Sequence, residues 1–209
     1  MTKSHIDVLL VHCYWFDNTS ANLLDAHGNL QLLAINCLLK DGIEQIVILG
    51  GKIDPQKESL GRVMYKELLK NVDAKLLNKV LVIPNSLTLR QEVKNFYKLA
   101  KKNNWQALAY LCLSAQLPRA KRTYRRIFAE NFPIVTFLTT EEILDNCGYE
   151  KELKNYRESP VYKYSIIYEL LVGIIDGIPI VGGYLIDKLS KIYPNKGVLL
   201  SKIFSFKSM

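Results

Sequence analysis

The run Ile6–Tyr14, IDVLLVHCY, is short, apolar at consecutive positions and followed by polar residues, the pattern of a strand buried on both faces. After a loop over Trp15–Gly28, the stretch Asn29–Lys40 places Leu30, Leu33, Ala34, Cys37 and Leu38 at helical spacing and stops at Asp41-Gly42. The cycle then repeats with strand Gln45–Leu49, helix Ser59–Leu69, strand Lys79–Ile83, helix Leu89–Lys102, strand Ala107–Leu113, helix Pro118–Ala129 and strand Ile134–Leu138. Alternation of this kind predicts a parallel sheet of about five strands with right-handed crossovers and helices on both faces, a three-layer α/β/α fold.

A further charged helix is expected over Thr139–Tyr156, and Glu158-Ser159-Pro160 marks a boundary. It divides the chain into an α/β domain over residues 1–156 and a helical extension over 157–209. The segment Tyr164–Ile186 has only Glu169 and Asp176 as charges, and also Gly173, Gly177, Pro179, Gly182 and Gly183. Central carboxylates cost roughly 2.5–3.5 kcal/mol each on membrane-insertion scales, and the Gly/Pro positions break the stretch. The expectation is therefore a helical hairpin packed on the domain, burying Ile167, Leu171, Ile175 and Leu185, in place of a membrane span.

At 209 residues with 49% apolar and 23% charged positions, the chain is long and apolar enough to bury a core, which excludes a disordered or collagen-like protein. A net charge of +8 favours anionic partners: a small phosphate or carboxylate, an anionic membrane surface, or nucleic acid, which has only the charge behind it. Cys13, Cys37, Cys112 and Cys147 lie far apart with no CxxC or finger spacing, so neither a disulfide scaffold nor a structural zinc is expected. With no signal-peptide pattern at the start, these features predict a cytoplasmic protein, peripheral to a membrane at most. They do not set its oligomeric state.

In an open parallel sheet ligands bind beyond the carboxyl ends of the strands, so the strand-to-helix loops carry the candidate chemistry. The loop after the second strand, ILGGKIDPQKES, sets Gly50 and Gly51 where backbone N–H groups can approach an anion, although a tight turn explains the pair without any ligand and is the better account of it taken alone. In the fourth loop, Ser114-Ala115-Gln116-Leu117-Pro118-Arg119 starts a helix and leaves Arg119 at its positive end. A cation there is unfavourable alone and makes sense with an anion or a nearby carboxylate as partner. Lys121, Arg122, Arg125 and Arg126 extend this into a basic helix, which a solvated face also explains. His12, Asp17, Asp25 and His27 lack any metal-site spacing, and Cys13 with Cys112 would sit on neighbouring strands in a 3-2-1-4-5 order.

The order of these residues resembles the YdcF/SanA/ElyC-like family of Rossmann-like proteins. The matching positions are Asp7 before the first strand, Gly42, the Leu49-Gly50-Gly51 turn, the helix start near Glu58-Ser59, the loop Asn85-Ser86-Leu87-Thr88-Leu89-Arg90-Gln91, and the turn Cys112–Ala120. They span residues 6–140. The resemblance implies a Rossmann-like fold that binds a small anionic or nucleotide-like ligand, S-adenosylmethionine included, with His12, Gly50, Gly51, Ser59, Asn85, Thr88, Ser114, Gln116 and Arg119 as its binding residues. The chain departs from the family in the bulky His12-Cys13-Tyr14-Trp15, in Arg90 where the family has an acidic residue, and in Gln116 where it has His. An amide does not titrate, so Gln116 cannot do the acid–base work of a histidine, and whether the chain catalyses anything stays open. The alternative is an interaction protein that meets an anionic macromolecule or membrane through its basic helix and C-terminal hairpin.

Overall fold

A computed structural model describes residues 6–13, 26–52, 56–128, 135–178 and 181–192. Tyr14 to Asp25, and with them the first loop and Asp17 and Asp25, lie outside the described residues, as do Ala129–Ile134, Pro179 and Tyr193–Met209. The fold is a three-layer, Rossmann-like α/β/α sandwich. Its strands are β1 (Val8–His12), β2 (Ile46–Leu49), β3 (Val80–Ile83), β4 (Leu108–Cys112) and β5 (Val135–Thr139). All pair in parallel in the order β3-β2-β1-β4-β5, so β1 is central and the crossover direction reverses between β1 and β4.

The period-2 side-chain alternation divides the core into two layers. Leu9, Val11, Ile46, Ile48, Ala109 and Leu111 point to one face, where they meet Leu30, Ala34, Ile35 and Leu38 of α1 (Ala26–Lys40) and Val63, Met64 and Leu68 of α2 (Leu60–Asn71). Val8, Leu10, Val47, Leu49, Leu108 and Tyr110 point to the other. They pack there on Leu89, Val93 and Phe96 of α4 (Leu89–Asn103) and on Ala120, Tyr124 and Phe128 of α5 (Leu117–Phe128). A short α3 (Ala74–Leu77), capped by Asp73, was not expected from the sequence.

Two expectations are corrected. The single helix over Thr139–Tyr156 is split into α6 (Thr140–Asn146) and α7 (Glu150–Glu158). Gly148 at φ +79° makes the break, a backbone state that glycine enters without steric penalty. The hairpin is present as α8 (Pro160–Gly177), N-capped by Ser159, and α9 (Gly182–Ile192), but its burial pattern differs. Tyr168, Val172 and Ile186 are the buried apolar residues, Leu171 and Ile175 are half-buried against the same core, and Leu185 is exposed. No helix among the described residues is long and apolar enough to cross a membrane. α8 packs against α7, against α5 and against a 3₁₀ turn over Ser114–Gln116 that precedes α5.

Candidate functional site

Because every strand is parallel, His12, Gly50, Asn85, Thr88 and Ser114 all fall at the carboxyl edge of the sheet, as the sequence predicted. Most of their hydrogen-bonding capacity is used by the protein itself. Gly51 donates to the Ser86 carbonyl at 2.5 Å, while the Gly50 and Gly51 carbonyls accept from Gly61 N and Leu60 N, the first amides of α2. Ser59 caps the same end by accepting from Arg62 N at 3.4 Å. These amides are therefore satisfied internally and present no anion cradle. The glycines are required by crowding: a Cβ on Gly50 would lie 2.7 Å from Gly61 N, and one on Gly51 would lie 2.7 Å from the Ser86 carbonyl oxygen. The Gly-Gly pair is a close-packed crossing of strand and helix.

At the switch point between β1 and β4, His12 pairs through Nδ1 with Glu92 of α4, and both side chains are buried. The His12 carbonyl accepts from Gln31 Nε2 at 2.6 Å, and its ring stacks at 6.4 Å from that of Tyr110. Glu92 was not singled out in the sequence. Its signal was a carboxylate within the apolar stripe Leu89, Val93, Phe96, Ala100 of α4, where a charge requires a partner. Burial, reinforced by the Glu92 charge, raises the Cys13 thiol well above its ordinary value, and burial does the same to Cys112. Both are protonated small hydrophobes, not nucleophiles.

Gln116 is fully buried and accepts from Leu113 N at 3.2 Å, while its amide nitrogen has no partner among the described residues. Ser114 N donates to both oxygens of Glu141 at 3.1 and 3.0 Å. Burial raises the Glu141 carboxyl above its ordinary value, against the opposing hydrogen bonds from Ser114 and the Arg157 charge. Asp7, at the opposite edge of the sheet, accepts from Gln106 N and Ala107 N and ties β1 to the start of β4. Asn85 accepts from Asn95, which also donates to Ser86.

The hairpin supplies the anions that the sequence analysis sought from outside. Arg119 donates from Nε to Glu169 Oε2 at 2.7 Å and from a terminal nitrogen to Oε1 at 2.8 Å, a buried two-point pair with α8. Thr88 caps α4 and donates its hydroxyl to Asp187 Oδ1 at 2.6 Å, and Arg90 lies 3.9 Å from the same carboxylate. Asp176 lies between Arg122, at 3.5 Å, and Arg126, at 3.2 Å. Thus α5 is not the solvated basic face that its composition suggested: three of its five cations bind the hairpin, and Lys121 and Arg125 remain on the exposed surface.

One open cleft adjoins this edge. It holds about 330 Å³ between α4, α5 and the hairpin, and its walls include Arg90, Lys94, Thr123, Arg126, Asp176 and Gly183. Lys94 is exposed, Arg126 is half-exposed and also donates to the Asp176 carbonyl at 2.8 Å, and Asp176 is the only carboxylate in the lining among the described residues. Arg90 and Lys94 lie four residues apart on α4, and Arg122 and Arg126 four apart on α5, a spacing that sets each pair on one helix face. That spacing was the signal for Lys94, which the sequence analysis did not single out. Among the described residues no cluster of His, Cys, Asp or Glu is arranged to hold a metal ion.

Comparison with protein-family models, with curated proteins and with solved structures finds no match for this chain.

Proposed function

We propose that the protein binds a small anionic, phosphate-bearing ligand in the cleft beside the carboxyl edge of the sheet. The observation that carries this is the convergence of Arg90, Lys94 and Arg126 on a cavity where Asp176, the one carboxylate of its lining among the described residues, is already shared with Arg122. With their ion-pair partners included, Arg90, Lys94, Arg122 and Arg126 stand against Asp176 and Asp187, which leaves an excess of positive charge, and guanidinium forks bind phosphate oxygens through short charge-assisted hydrogen bonds. The volume is at the small end of ligand cavities, which suits a mononucleotide or sugar phosphate better than a polymer. It also orders the ligands implied by the YdcF-like resemblance. S-adenosylmethionine brings a sulfonium and an ammonium against one carboxylate, so the cleft favours a nucleotide over it.

The test is a thermal-shift titration with ADP, pyrophosphate and S-adenosylmethionine, repeated on Arg90→Ala/Lys94→Ala. A ligand at 100 times its dissociation constant adds about 2.7 kcal/mol, which for a chain of this length raises the melting temperature by about 5–10 °C. A shift with ADP or pyrophosphate that the double variant loses supports the site. No shift at millimolar concentration, or an equal shift in the variant, refutes it.

A further inference from the structure

The hairpin is amphipathic in the reverse of the usual sense. Of the eleven large apolar side chains exposed among the described residues, eight belong to it: Ile166, Leu170, Ile174, Ile178, Val181, Tyr184, Leu185 and Ile192. Leu170, Ile174 and Tyr184 are 64%, 72% and 62% exposed. On α8 the steps of four from Ile166 to Leu170 to Ile174 set these residues in one stripe, and Lys163 shares that arc. On α9, Tyr184, Leu185 and Ile192 occupy one arc together with Lys188 and Lys191, and Val181 immediately precedes the helix. The carboxylates turn the other way: Glu169 to Arg119, Asp176 to Arg122 and Arg126, Asp187 to Thr88.

We infer that this face of the hairpin docks onto the surface of an anionic lipid bilayer, lying in the interface without crossing it. Its outward chemistry is apolar side chains interspersed with exposed Lys163, Lys188 and Lys191, and all three acidic residues of the hairpin are bonded inward. Apolar groups enter the headgroup boundary while lysine stems extend their ammonium groups to lipid phosphates, so the two parts of the face act together. A second copy of the chain is the poorer occupant. A two-fold pairing of this face would bury Lys163, Lys188 and Lys191 of both copies in an interface to which neither face brings an outward carboxylate. Sequence composition past α9 continues the theme, since residues 193–209 include Lys196, Lys202 and Lys207, Leu199, Leu200, Phe204 and Phe206, and no Asp or Glu. Of the residues on this face only Ile178 also lines the proposed ligand cleft, and Leu170, Ile174, Lys188 and Lys191 lie outside its lining.

The full chain should co-sediment with vesicles containing 30% phosphatidylserine in phosphatidylcholine, bind pure phosphatidylcholine at least tenfold less, and lose affinity as salt is raised from 100 to 500 mM. Leu170→Glu/Ile174→Glu should abolish binding, and Lys188→Gln and Lys191→Gln should each weaken it about fivefold. These positions are exposed, so unchanged circular dichroism and melting temperature show that the fold is retained. Failure of the parent to bind anionic vesicles, or full binding by the Leu170→Glu/Ile174→Glu variant, overturns the inference. So does lipid-free dimerisation in sedimentation equilibrium that the same variant removes, which assigns the face to a second copy.

Discussion

Arg119 and Glu169 meet through two parallel hydrogen bonds, 2.7 and 2.8 Å long, across fifty residues of sequence, and this pair fastens the hairpin to the first turn of α5. The side chains are only 8% and 4% exposed, so each charge depends on the other for its solvation. Removing one partner leaves a buried uncompensated ion, whereas removing both does not.

Glu169→Ala and Arg119→Ala should therefore each lower stability by about 3–5 kcal/mol, while the double replacement Arg119→Met/Glu169→Leu should lie close to the parent. Urea unfolding of the four proteins checks this. Single variants within about 1 kcal/mol of the parent, the range of a surface ion pair, would contradict the structural role given to the pair.

Glu141 makes the fold sensitive to pH in a definite direction. Its folded-state carboxyl titrates above the unfolded value of about 4.5 because burial disfavours the charge. The native state therefore holds more protons in this window, and the group's contribution, fully present below the unfolded value, is lost as pH rises through the raised folded one. Glu141→Gln keeps an acceptor for Ser114 N and removes the titration. Urea midpoints measured from pH 4 to 7 should show the variant gaining on the parent as pH rises. A difference that does not vary with pH would show that this carboxyl is not perturbed.

Gly51→Ala should be destabilising by roughly 1–3 kcal/mol, because the added carbon would lie 2.7 Å from the Ser86 carbonyl oxygen and neither backbone can yield cheaply. Gly177→Ala is the control. A Cβ there meets nothing within 4 Å at the end of α8, and the substitution should be neutral or stabilising by up to about 1 kcal/mol. Melting temperatures of the two variants should move in opposite directions or differ by several degrees, and equal shifts would remove the close-packing account of the Gly-Gly turn.

Thiol reactivity should single out one cysteine. Cys147 is exposed, whereas burial raises Cys13 and Cys112 well above the usual range and, with the Cys147 contact, pushes Cys37 up to about 12. Titration of the native protein at pH 8 with a disulfide reagent should show one prompt equivalent, and four after denaturation. Two or more prompt equivalents would mean that a cysteine described as buried, Cys37 on α1 or Cys13 or Cys112 at the strands, is accessible.

The sheet was legible because strands buried on both faces read as apolar runs, and Ile46–Leu49 or Leu108–Cys112 have no other plausible place than a core. Ser59 and Thr88, expected to bind a ligand, are instead the N-caps of α2 and α4. What local pattern cannot contain is a partner fifty or more residues away. Glu169 and Asp176 read as obstacles to a membrane span, and nothing in their own neighbourhood names Arg119, Arg122 or Arg126 as their counterions. Arg119 was correctly identified as needing an anion, but the chain provides that anion from its own hairpin. Likewise Glu92 required the β1–α4 packing before His12 could be seen as its partner.

The central place of β1 has a consequence in time. It is made before the other four strands of the sheet, yet one of its edges must stay unpaired until β4 is made, since Val8 registers with Leu108, one hundred residues later. At about 5–20 residues per second of translation that is roughly 5–20 s during which an apolar strand presents open hydrogen-bonding groups. Nascent chains stalled before β4 should be degraded readily by protease, and protection should rise sharply once residues 108–112 have cleared the ribosome. The strand order thus ties completion of the central strand to the synthesis of β4.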